Sequence, residues 1–98
     1  MDQAVVGRVL FGRPTRLSLG LWVLALEKDR FFQSEPPRSL GAQSAVVVEL
    51  GKFVQLGLLD EERPPGDKRV FYVRTHSLLW AVFAAARDGV AAMGAAQK

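Results

Sequence analysis

Residues 44–53, SAVVVELGKF, decide the fold. Three consecutive β-branched valines favour a strand over a helix. A strand would set Val46, Val48 and Leu50 on one side, but Lys52 at the next alternate position breaks that pattern. At about 100° per residue, Leu50, Phe53 and Gly57 instead fall within about 40° of Val46, with Val54 and Leu56 flanking them. The helical period is the better match. The segment therefore reads as a helix with Val46 on its core line, Val47 at the border, and an outer face of Ser44, Val48, Gly51, Lys52 and Gln55.

The flanks extend this reading. After Gly57, LLDEERPPGDKRVFYVRT contains PPGD turn chemistry, with proline presetting φ and glycine allowing a positive one. KRVFYVRT is the clearest strand signal in the chain and predicts a β-hairpin, with Val70 and Tyr72 facing away from Phe71 and Val73. A closing helix is expected over about residues 76–88, with Leu79, Val82, Phe83 and Ala86 on its stripe, Trp80 near the edge and Gly89 ending it. Upstream, FFQSEPPRSLG predicts a short helix capped by Ser34 and ending at Gly41. Before it, Pro14 and Thr15 open a helix that runs to about Lys28 along Leu17, Leu21, Trp22, Leu24 and Ala25. A first helix is expected over about Gln3 to Leu10, with Val5, Val6, Val9 and Leu10 as its apolar stripe.

Composition narrows the function classes. The chain has 98 residues, enough for one domain with one core, and its 49% hydrophobic and 23% charged content is that of a folded globular protein. It has no cysteine, which removes disulfides and thiol chemistry, and a lone histidine, His76, which cannot build a histidine metal site. No metal or cofactor is expected. The longest apolar run, LSLGLWVLAL at 17–26, is half the length of about 20 residues that a membrane span needs, and no signal pattern opens the chain. A cytoplasmic protein is the expectation. The net charge of +3, from thirteen basic and ten acidic residues, weakly favours a polyanionic partner. Asp60, Glu61 and Glu62 have no nucleophile, metal-ligand set or glycine-rich phosphate loop beside them, so they read as a solvated strand start and the chain as non-enzymatic.

The order of elements is that of an α+β, mostly helical winged helix-turn-helix domain with a two-stranded hairpin wing and a C-terminal helix. RSLGAQSAVVVELGKFVQLGLLDEERPPGDKRVFYVR, with its Leu40–Gly41 turn and LGLL ending, resembles small bacterial and archaeal winged-helix regulators of the ArsR/MarR/PadR kind. LFGRPTRLSLGLWVLAL at 10–26 is similar to the opening of many such regulators. The resemblance covers about residues 8 to 76 and places the helix-turn-helix at about 35–57 and the wing at about 58–75, within a single domain over 1–98 whose last helix is at about 76–88. It further implies sequence-specific binding of double-stranded DNA as a transcriptional regulator, usually a homodimer. Carried over by position, Gln43, Ser44, Val47, Val48, Gly51 and Lys52 would face the bases. Arg13, Arg16, Arg38, Arg63, Lys68 and Arg69 would hold the backbone.

Members of this family often carry Arg, Lys, Ser or Thr where this chain has Val47, Val48 and Gly51. Two partners therefore stay open for the outer face. A valine can meet a thymine methyl, or it can meet protein, which makes the alternative function a winged-helix protein-interaction module. Val5, Val9, Leu79, Val82, Phe83 and Val90 offer apolar surface for a homodimer through the N- and C-terminal helices.

Overall fold

In the computed structural model, Val9 and residues 11–96 are described; the helix expected over Gln3 to Leu10 lies outside them, apart from Val9, which is exposed. The rest forms a small α+β domain of three α-helices, α1 (Pro14–Ala25), α2 (Gln43–Gln55) and α3 (Trp80–Ala96), and three strands, β1 (Arg30–Phe32), β2 (Leu59–Glu62) and β3 (Phe71–Arg74). The strands make one antiparallel sheet in the order β1-β3-β2.

α1 starts at Pro14, whose missing N–H has no partner to lose in a first turn. It is buried on more than one stripe: Leu17, Leu19, Gly20, Leu21 and Val23 all lie inside, while Ala25, expected in the core, is exposed. It ends three residues before Lys28, because Leu26 turns to an extended backbone and Arg74 takes over its last carbonyls. The Arg74 guanidinium donates to Val23 O at 2.7 Å, Leu24 O at 3.2 Å and Leu26 O at 3.3 Å, and to Asp29 Oδ1 at 2.8 Å. A cation at this end also complements the helix dipole.

Two of the short elements differ from expectation. Arg30–Phe32 pairs with β3, Phe31 opposite Tyr72 and Phe32 opposite Phe71, so the hairpin gains a third strand. The helix expected from Ser34 to Gly41 is a single 3-10 turn, Arg38–Leu40. Pro37, itself in an extended backbone, rather than Ser34 stands at its start, with no side-chain cap. Gly41 then reverses the chain at φ +148°, and a Cβ there would press on Thr15 of α1. Only glycine suits both demands.

α2 confirms the helical reading of the valines. Val46, Leu50 and Phe53 are buried, whereas Gly57 lies just past the helix and is exposed. β2 runs directly on, pairing Leu59 with Arg74 and Glu62 with Phe71. α3 begins at Trp80 rather than near His76. Ser77 Oγ accepts from the Leu79 N–H at 3.1 Å, and His76 is exposed. The helix passes through Gly89 and Gly94 to Ala96, its many alanines, the strongest helix formers, carrying it past the roughly 1 kcal/mol helix cost of each glycine. Trp80 is a core residue. Its indole N–H donates to Leu58 O at 3.1 Å, and its ring packs with Phe53 and Phe83.

α1 and α3 approach closely at Gly20, where an added Cβ would overlap the Phe83 ring. Phe83 is itself buried and packed against Phe11, Phe53 and Trp80, so moving it aside would disturb those three contacts. Gly20→Ala is therefore expected to destabilise the domain by about 1–3 kcal/mol through overpacking. A lower denaturant midpoint at unchanged m-value would be the signature, and an unchanged midpoint would refute this packing.

Candidate nucleic-acid interface

The outer face of α2 is formed by the residues that the core does not use. Gln43, Ser44, Val48, Gly51 and Gln55 are exposed, and Val47 and Lys52 are half-buried. Val48 is 52% exposed, so about half of its side-chain surface is left uncovered by the described residues. It lines a cleft of about 370 Å³ together with Ser44, Ala45 and Glu49 of α2 and Gly12 to Thr15 at the start of α1. Arg13 therefore stands across the cleft from the valine.

A residue the sequence reading passed over organises this face. Glu49 is 1% exposed. Arg16 reaches it from α1, donating Nε to Oε2 at 2.7 Å and a terminal nitrogen to Oε1 at 3.3 Å. The same guanidinium donates to Phe11 O at 2.9 Å, so its charge is largely committed inside the protein. Arg13 Nε and Lys52 Nζ stand 3.9 Å and 3.8 Å from Glu49 Oε1, too far for hydrogen bonds but within ion-pair range. Three cations expected at the DNA interface, Arg13 and Arg16 on the backbone and Lys52 on the base-facing side of α2, thus converge on one carboxylate. The sum, three positive against one negative, is +2.

The remaining site residues lie in two groups. Gln43 donates weakly, at 3.5 Å, to Gln33 O, and Gln33, Ser34, Lys68 and Arg69 line one small cleft, so the start of α2 and the hairpin are contiguous. Arg63 pairs with Glu61 at 3.4 Å and Arg69 with Asp67 at 2.9 Å, while Arg69 also lies 5.0 Å from the Phe71 ring centre. These partners sit two residues away along the hairpin and take up part of its positive charge. Arg38 and Lys68 are exposed and make no ion pair among the described residues. Asp60 is exposed, and Glu62 is held by Arg30 at 2.9 Å, whose guanidinium also covers Phe71.

A second surface is apolar. Phe11, Phe53, Leu56, Leu58, Leu79, Val82 and Phe83, with Arg16, Lys52 and Gln55 on the side toward the outer face of α2, border a groove of about 600 Å³ between the end of α2 and α3. Leu56, Leu78, Leu79 and Val82 are exposed along and beside it, whereas Phe83, expected on a dimer surface, belongs to the core. No helix of the described residues is long and apolar enough to cross a membrane.

No family model matches this chain, and no curated protein or solved structure matches it.

The hairpin turn carries a pH signature. Side-chain and backbone hydrogen bonds from Arg69 hold the Asp67 carboxyl below its ordinary value of 3.8. A carboxylate with a lowered pKa contributes stability above its unfolded value and loses it as pH falls through the folded one. The turn should therefore stay intact down to the ordinary carboxylate range and loosen only below it. In an NMR titration, Asp67 is expected to titrate below 3.8 and to move back up in Arg69→Gln. An unmoved titration would mean that the pairing does not persist in solution.

Proposed function

We propose that the domain is a winged helix-turn-helix module that binds duplex DNA as a small homodimeric transcriptional regulator. In this reading α2 enters the major groove and the β2–β3 hairpin is the wing that lies against the backbone. The observation that carries it is Val48, a half-exposed apolar side chain opening with Ser44 onto a cleft that Arg13 borders. An apolar contact suits a thymine methyl, and Gln43 and Ser44 can reach base edges. Arg38 and Lys68, exposed and without an ion pair among the described residues, can serve phosphates, which position the protein without reading sequence. Arg16 is better described as the support of this face than as one of its contacts.

The competing reading, a protein-docking module, needs the outer face of α2 covered by protein. The chain's larger apolar surface is the groove bordered by Leu56, Leu79 and Val82, which adjoins the outer face of α2 only at Lys52 and Gln55, and we assign that surface to a second copy of the chain. Two copies would also double the phosphates met per complex. That matters because each phosphate neutralised adds only about 0.9 to the salt slope of binding.

Two measurements test the proposal. Anisotropy with a labelled random duplex should show binding that weakens as salt rises from about 50 to about 200 mM, and Arg38→Ala and Lys68→Ala should each flatten the slope by about 0.9. Absence of binding at the lower salt would leave the protein-docking module as the reading. In sedimentation, the wild type is expected to be a dimer at micromolar concentration and Val82→Glu a monomer. A wild type that stays monomeric at high micromolar concentration would remove the dimer.

A further inference from the structure

We infer that Glu49 is a specificity-setting residue of α2. It draws the cations of the interface onto a buried carboxylate and so holds down sequence-independent binding to phosphates. The inference rests on the duplex-binding reading above and adds to it a residue that would touch no DNA.

A purely architectural role needs less than the structure provides. Arg16 alone supplies Glu49 with two hydrogen bonds across the α1–α2 contact, and a bidentate guanidinium is sufficient to anchor a carboxylate. Yet Arg13 and Lys52 are also within 4 Å of the same carboxylate, from the residue just before α1 and from the next turn of α2. Neither is close enough to hydrogen-bond to it. Their side chains are 61% and 39% exposed, so each has solvent on one side and the carboxylate on the other. An attraction of this geometry biases where the charged ends rest without fixing them. It pulls inward two groups that a passing phosphate would otherwise attract outward.

Such restraint suits the chemistry of the face. With Val47, Val48 and Gly51 on α2, discrimination between sequences would come from apolar and short polar contacts, each of which favours one base over another only modestly. Phosphate binding is the same at every position on a duplex, and a genome offers a vast excess of non-specific sites. A reader with modest base contacts therefore gains specificity by keeping the sequence-independent part of its affinity low. Glu49 reduces a cluster of three cations to a net +2 at the point nearest the valine.

The test is duplex affinity as a function of salt for the wild type and Glu49→Gln, which keeps the side-chain shape and an acceptor for Arg16. The expected result is tighter binding to a random duplex and a slope steeper by about 0.9 for each cation released to a phosphate. Between about 50 and about 200 mM salt that is roughly a 3.5-fold larger loss of affinity per added contact. Glu27→Gln makes the same change in net charge on an exposed residue outside the cluster and should leave the slope as it was. The double variant Arg16→Gln/Glu49→Gln replaces the buried ion pair by two amides and keeps the cluster at +2. It should still steepen the slope, and it serves as the test if the single variant does not unfold cooperatively. A slope that is unchanged or shallower in the folded variant overturns the role of Glu49 and leaves the duplex-binding reading standing. A steepening matched by Glu27→Gln also overturns it, because charge alone would then explain the effect. If neither wild type nor variant binds duplex at the lower salt, both inferences fall together.

Discussion

A carboxylate with 1% of its surface exposed has to be matched by a cation, and in this domain the match of Glu49 with Arg16 fixes how the first two helices meet. Removing one partner of a fully buried pair typically costs about 3–5 kcal/mol. Here Arg16 keeps 25% of its side chain exposed and Arg13 and Lys52 stand close by, so its loss would cost less, yet still a sizeable share of the roughly 5–15 kcal/mol by which small domains are stable. The pair also reaches beyond the two helices. Arg16 donates to Phe11 O and thereby sets the path by which the chain enters α1, which places Arg13 on the rim of the Val48 cleft. The outer face of α2 has its shape because the inner face holds this ion pair.

Arg74 performs a comparable service at the other end of α1. Its guanidinium gathers the carbonyls of Val23, Leu24 and Leu26 and the Asp29 carboxylate, so the helix stops there and the chain turns into β1. The same residue is the β3 partner of Leu59, which ties the helix end to the sheet. Thr75 and Trp80 complete the junction through the Leu58 carbonyl, which accepts from the Thr75 hydroxyl and the Trp80 indole. Two arginines, one near each end of α1, thus hold α2 and the sheet in register with one central helix.

What the sequence made legible follows from where the physics is local. α2 could be read because its period is regular, and Val46, Leu50 and Phe53 lie inside as expected. The hairpin could be read from PPGD, where Gly66 takes a positive φ and the Asp67 N–H donates to Pro64 O. Glu49 was missed although its position pointed inward. At about 100° per residue it lies about 60° from Val46, nearer the core line than Leu56 does. The residue type argued for solvent, and the decisive partner stands 33 residues earlier in the chain. β1 was missed for a similar reason: three residues carry little pattern, and their pairing is made by β3 some forty residues on, Phe31 with Tyr72. The end of α3 was misjudged because one glycine was weighed without the alanines around it.

The placement of the cations bears on what kind of reader this domain would be. Counting basic residues along the chain suggests a broad positive surface, but Arg16 and Arg74 are committed to internal acceptors, and Arg30, Arg63 and Arg69 each face a carboxylate at 2.9 to 3.4 Å. Net charge is therefore a poor guide to the field at the surface, because most positive groups arrive there with a negative partner. Duplex binding by such a face cannot rely on neutralising many phosphates per copy. It would depend on fit, with Val48 and Ser44 seated against bases, and on a second copy to multiply the few cations left over. On that proposal the exposed Val48 of α2 and the apolar surface at Leu79 and Val82 would be two parts of one solution, since a weakly charged reader is the kind that most needs a partner.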